Sequence, residues 1–167
     1  MITVNQHTFK LDTANTSYLL DITPSGHVRH IYYGALLPDI PADALALKNT
    51  ITLGSTVMYS EKTPGYSLET LLLEYFGIGK GDYRHSPLEC IMPDGSFVTD
   101  FVYESHQISD GPYTNDCGLP FATGQAQTLS IRLVDQKYKN AALTLHYTVC
   151  KNICMTCCRN CCTPVYY

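Results

Sequence analysis

Apolar residues recur at every second position in the best-patterned parts of this 167-residue chain, and that period constrains its fold most. Leu143, Leu145, Tyr147 and Val149 alternate with Thr144, His146 and Thr148, and Leu129, Ile131 and Leu133 alternate with Ser130 and Arg132. Successive side chains of a strand point to opposite faces, so this pattern sets one face on a core and the other in water. Residues 18–22 and 27–33 read as two more strands around Thr23-Pro24-Ser25-Gly26, where proline presets φ and glycine permits φ > 0. Residues 1–11 and 88–92 each read as one strand, and 97–108 as a long one, with Pro93-Asp94-Gly95-Ser96 as the hairpin turn before it. Helical signal is slight. Residues 43–48 suit one short turn, and 67–73 suit either a turn capped by Ser67 or a buried strand. Residues 49–66 read as a long loop broken by Gly54, Pro64 and Gly65. The expected fold class is all-β, an antiparallel β-sandwich of many short strands with little helix.

Length and composition fit one domain with a real core: 45% of residues are apolar and 16% charged. A net charge of −4, with scattered Lys and Arg, supplies no electrostatic attraction for nucleic acid or an anionic membrane. No apolar run approaches the roughly 20 residues of a membrane-spanning helix, and the N-terminal residues lack the basic and apolar regions of a secretory leader. A cytoplasmic location is the expectation. The chain has 13 Tyr and no Trp. Tyrosine rings can stack on sugars, but tyrosine is also a good strand residue, which is the simpler reading for most of them.

The stretch 66–120 carries a further pattern. It contains Tyr66-Ser67-Leu68-Glu69-Thr70-Leu71, Glu74-Tyr75, Gly79-Lys80-Gly81-Asp82-Tyr83-Arg84, Pro87, Asp94-Gly95-Ser96, Asp100-Phe101-Val102-Tyr103-Glu104-Ser105-His106-Gln107-Ile108 and Gly118-Leu119-Pro120. That order and spacing resemble the N-terminal domain of bacterial α-galactosidases of glycoside hydrolase family 36, whose pattern runs F-S-L-D-T-L, E-Y-P, G-x-x-D-F-R-x-P, D-G-S, D-L-x-Y-x-S-H-x-I, G-L-P. Gly26 to Gly34 is similar, more loosely, to the family's G-x-x-x-H-x-Y-W-G. The resemblance covers residues 1–149. It implies a large β-sandwich that packs on a catalytic (β/α)₈ barrel, and a parent enzyme acting on terminal α-galactosides such as melibiose or raffinose with no cofactor; a sandwich truncated before that barrel is expected to self-associate through the apolar face left exposed. The family works with retention, using two Asp on the barrel, one of them in a K-W-D-x-N-R pattern. With no Trp, this chain lacks that pattern, so no catalytic residue is assigned and the chain alone is expected to be inactive. No substrate-binding residue is carried over either, because Pro64-Gly65 stands where the family commonly has an Arg.

Residues 150–167 form a cysteine-rich tail holding six of the eight Cys. Cys154 and Cys157, then Cys158 and Cys161, have zinc-ligand spacing, but no intervening loop separates the two pairs. Disulfides are not expected in a reducing compartment. The favoured expectation is a frameshift or truncation. Read two bases on, the codons of Cys154-Met155-Thr156-Cys157-Cys158 can spell Tyr-Asp-Val-Leu, close to the family's continuation. Two other function classes stay open: a stand-alone carbohydrate-binding or protein-interaction sandwich, and a zinc-binding protein using the tail.

Smaller features read as structural. Gly77 to Gly81 lacks phosphate-loop spacing and is expected to be a turn before Asp82. Asp82 and Arg84 read as a loop-fixing pair, the alternative being contact with a sugar or a neighbouring domain. His27 and His30 are placed on opposite faces of one strand, and no His has a metal-binding partner. Cys90 and Cys117 read as buried small hydrophobes. Nothing in the spacing selects a catalytic pair among Asp82, Glu89, Asp94, Asp100 and Glu104.

Overall fold

The computed structural model describes residues 1–47, 57–114 and 122–151, together with the backbone of residues 154–162. Among them are two four-stranded antiparallel sheets. The first contains β1 (Ile2–Asn5), β2 (Thr8–Asp12), β3 (Thr16–Ile22) and β4 (Val28–Ala35), in that spatial order. The second contains β5 (Phe101–Asp110), β6 (Ala126–Asp135), β7 (Ala141–Cys150) and β8 (Cys154–Cys162), also in chain order. Among the described residues, helix is limited to α1 (Ala42–Leu45) and one 3₁₀ turn (Leu68–Thr70). The described part of the segment between the sheets is mostly irregular, and both sheets are simple meanders. Contacts are therefore local within each sheet and long-range between them.

Alternation builds the core. Phe9, Leu11 and Leu20 come from the first sheet, and Leu129, Ile131, Leu133, Leu143, Leu145 and Tyr147 from the second; all are essentially inaccessible. On β6 and β7 the rows match across the ladder, with Leu129 opposite Tyr147, Ile131 opposite Leu145 and Leu133 opposite Leu143. Burying a side chain of this kind contributes about 1.5–3 kcal/mol.

The turn between β3 and β4 forms as its residues dictate. Gly26 has φ 90°, its N–H donates to the Thr23 carbonyl, and its carbonyl accepts from Tyr103 N–H at 2.8 Å. A Cβ on Gly26 would stand 3.1 Å from the Val102 side chain, so this glycine serves both the turn and its contact with β5.

Five expectations are corrected. Residues 1–11 are not one strand but the β1–β2 hairpin, with Asn5 paired to Thr8 around Gln6-His7. Gln6 takes φ 52° there without the glycine or asparagine that signals such a turn. Residues 88–92 lie in no strand, and β5 starts only at Phe101. The Pro93–Ser96 turn does form, with Gly95 N–H donating to Met92 and Met92 N–H to Ser96, but it joins no two strands. His27 precedes β4 rather than lying in it. β8 pairs along β7, with Cys154 opposite Val149 and Cys162 opposite Ala141, so residues 154–162 continue the second sheet.

Ile131→Ala should destabilise the fold by about 2–5 kcal/mol, because a fully buried side chain leaves a cavity. Tyr83→Ala, at a 75% exposed position, should change stability by no more than about 0.5 kcal/mol. Urea unfolding midpoints of the two variants check this contrast.

Candidate functional site

Buried polar side chains cluster where the β3–β4 turn meets the start of β5. His27 is 4% exposed. Its Nδ1 lies 3.0 Å from the Tyr66 hydroxyl and its Nε2 3.0 Å from Asp100 Oδ1. Tyr59 donates its hydroxyl to Asp100 Oδ2 at 2.9 Å and accepts from Gln136 Nε2 at 2.7 Å. Thr23 Oγ1 is 2.8 Å from the Tyr66 hydroxyl and also accepts the His27 backbone N–H. Lys80 Nζ stands 3.9 Å from Asp100 Oδ2. The Asp100 backbone N–H is held by buried Asp135, whose other carboxylate oxygen accepts from the N–H groups of Lys137 and Tyr138. The His27 and Tyr59 rings meet edge to face at 5.0 Å.

The electrostatics follow from burial and pairing. Burial acts to raise the Asp100 pKa, but hydrogen bonds from His27 and Tyr59, aided by the charges of His27 and Lys80, outweigh it and hold the carboxyl below its usual range. Burial first, and then the Asp100 charge, push the Tyr59 phenol upward, so it stays protonated and keeps donating. Tyr66 is also raised by burial, against hydrogen bonds from Thr23 and Ser25. Both His27 nitrogens have protein partners. The cluster's chemistry is to fix the turn, the 59–66 segment and the start of β5 to one another.

Asp82 and Arg84 form the loop-fixing pair expected of them. Arg84 Nε and Nη2 reach the Asp82 carboxylate at 2.9 and 2.6 Å. Its two terminal nitrogens also donate to the carbonyls of Leu71 and Leu68, and the guanidinium lies 4.4 Å over the Phe76 ring. The Gly77–Gly81 stretch is a turn: Asp82 N–H donates to Gly79, and Gly79, Lys80 and Gly81 have φ of 92°, 57° and 81°. A second buried group centres on Glu74, which accepts from the hydroxyls of Tyr18 at 2.6 Å and Tyr147 at 2.8 Å, with His30 Nδ1 at 3.4 Å.

The acidic residues do not converge. Asp82 pairs with Arg84, Asp94 with Lys137, Asp100 with His27, and Glu104 with Arg132. Glu89 is exposed. Cys90 is half-buried rather than buried, because its segment belongs to no sheet, and Cys117 lies outside the described residues. The side chains of Cys154, Cys157, Cys158 and Cys161 also lie outside them. Among the described residues, no group of three or more His, Cys, Asp or Glu could hold a metal ion, and no helix is long and apolar enough to cross a membrane. The His27–Asp100 contact, spanning 73 residues, had no local sequence signal. Its only trace was that both residues fall inside family-like stretches.

Two meander sheets around an apolar core, tied by polar contacts that hold backbone segments in place, define a β-sandwich domain. This chain belongs to glycosyl hydrolase family 36 as its N-terminal domain, whose family model matches residues 26–155. It is 32% identical over 146 residues to the bifunctional alpha-galactosidase/sucrose kinase AgaSK of Mediterraneibacter gnavus, covering 85% of this chain and 15% of that protein. It is 32% identical over 145 residues to alpha-galactosidase AgaA of Geobacillus stearothermophilus, covering 84% and 19%. The crystal structure of alpha-galactosidase AgaB from the same organism superposes with a TM-score of 0.80 at 26% identity, over 96% of this chain and 22% of that one. The chain thus spans about a fifth or less of the length of the curated relatives it matches.

Asp100→Asn should cost about 1–3 kcal/mol near pH 7, because it removes the buried carboxylate whose two oxygens meet His27 and Tyr59. The folded-state pKa of Asp100 is depressed, so its stabilisation is fully present above the unfolded value of about 3.9 and is lost as pH falls through the lower folded value. Urea unfolding at neutral pH and near pH 3 should show the wild type losing stability on acidification and the variant losing less.

Proposed function

We propose that this chain is the non-catalytic N-terminal sandwich of an α-galactosidase, and that cleavage of terminal α-galactosides needs a barrel which this sequence does not supply. The observation that carries the reading is the family match over residues 26–155, joined to relatives of which this chain spans only a small N-terminal share. The pairing of the acidic residues supports it. Retaining glycosidases hold two carboxyl groups about 5 Å apart across the bond they break. Here Asp82, Asp94, Asp100 and Glu104 are each engaged by a different base. In this reading the sandwich supports the barrel, and residues 150–167 owe their cysteines to a shifted reading frame.

A domain shaped to pack on a barrel exposes apolar surface when alone, and a second copy can cover it. Val57 and Val98 flank the Gly79–Gly81 turn and are 45% and 43% exposed, with Phe97 beside them at 46%. We place the self-association surface there.

The purified chain should release no nitrophenol from p-nitrophenyl α-galactoside. The gene resequenced past the Val149 codon should resume in another frame with Tyr-Asp-Val-Leu and later encode Lys-Trp-Asp. Turnover by the chain, or unrelated sequence in every frame, would overturn the reading. Sedimentation equilibrium should show a dimer that Val98→Asp shifts towards monomer.

A further inference from the structure

The outer face of the first sheet carries a cleft that the scaffold role does not use. Directly paired residues share a face of a sheet, and Thr3–Lys10, Asn5–Thr8 and Lys10–Leu19 are such pairs. This row faces away from the core, which takes Ile2, Phe9 and Leu11 from the same two strands. After β4 the chain folds back over the row. Leu36 N–H donates to Asn15, Leu37 N–H donates to Ser17 Oγ at 2.9 Å, and Lys10 Nζ donates to the Leu37 carbonyl at 2.8 Å. Between this strap and the strands lies a half-open cleft of about 350 Å³, at the lower end of the range of small-molecule sites.

The one cation beside the cleft is already engaged. The Lys10 ammonium lies 3.1 Å from Asp12, 3.3 Å from Asp39 and 2.8 Å from the Leu37 carbonyl, which matches its three N–H donors to three acceptors. One Lys against two carboxylates leaves a single negative charge in excess, which disfavours an anion, and among the described residues no group of three or more His, Cys, Asp or Glu stands here to hold a metal ion. The rest of the lining divides in two. Thr3, Asn5 and Thr8 offer hydroxyls and an amide along one side, while Leu19, Ile40 and Pro41 make an apolar floor and wall. The Asn5 amide can donate and accept at once, which suits two vicinal hydroxyls. The fully exposed Asp39 carboxylate can accept from others.

A neutral ligand with one apolar face and a hydroxyl-bearing edge complements such a lining, and a pyranose ring has that shape. We propose that this cleft binds a neutral hexose unit, as a non-catalytic sugar site held entirely by this sandwich. The proposal is independent of the α-galactosidase reading, since it needs neither a barrel nor a catalytic carboxylate.

The test is a titration of the ¹⁵N-labelled full chain with melibiose, and separately with inorganic phosphate and with magnesium chloride, followed by amide shifts. Melibiose should give saturable shifts confined to residues 3–10 and 39–42. Asn5→Ala and Asp39→Ala, both at exposed positions, should weaken binding about tenfold each, the worth of a hydrogen bond, with unfolding midpoints unchanged. No shift at those amides, shifts unaltered by either substitution, or shifts from phosphate or magnesium alone would each overturn the proposal.

Discussion

The apolar layer between the two sheets is the constraint on which the rest of this structure depends. Among the described residues the sheets share no ladder, so strand hydrogen bonds do not set how they lie against one another. Phe9, Leu11 and Leu20 instead pack with Leu129, Ile131, Leu145 and Tyr147, and close packing of these side chains fixes the spacing. Each sheet alone would leave this row in water. Only the pair buries it.

An apolar layer fixes distance better than register, and polar contacts supply the rest. The Gly26 carbonyl accepts from Tyr103 N–H, and His27 reaches Asp100 beside it, so the turn of one sheet is held at the first residues of the other. Burying such groups costs free energy unless every one finds a partner. Here Tyr59, Tyr66, Thr23 and Asp135 complete the set. A network of this kind adds less to total stability than to the choice of one arrangement over its neighbours.

The irregular segment between the sheets follows the same logic. It has few ladder bonds of its own, so its backbone groups must be satisfied otherwise. Arg84 does much of this, holding Asp82 with one edge and the carbonyls of Leu68 and Leu71 with its terminal nitrogens. That accounts for an Asp and an Arg two residues apart in the chain. The same economy leaves the outer face of the first sheet strapped by residues 36–41, with a cleft beneath the strap.

Much of the fold was legible in the residues themselves. Period-two alternation at 129–133 and 143–149 specified strands and their buried faces, because side-chain direction in a strand is a local property. Thr23-Pro24-Ser25-Gly26 specified a turn, and the motifs from Tyr66 to Arg84 specified the family. Where the signal failed, a distant partner decided. Gln6-His7 turns without turn residues because β2 pairs onward with β3, and residues 88–92 stay out of any sheet although their composition suits one. The His27–Asp100 cluster and the cleft beside Lys10 belong wholly to the tertiary structure. Each needs groups brought together from distant parts of the chain, and local residue patterns record propensities, not which remote partner satisfies a buried charge.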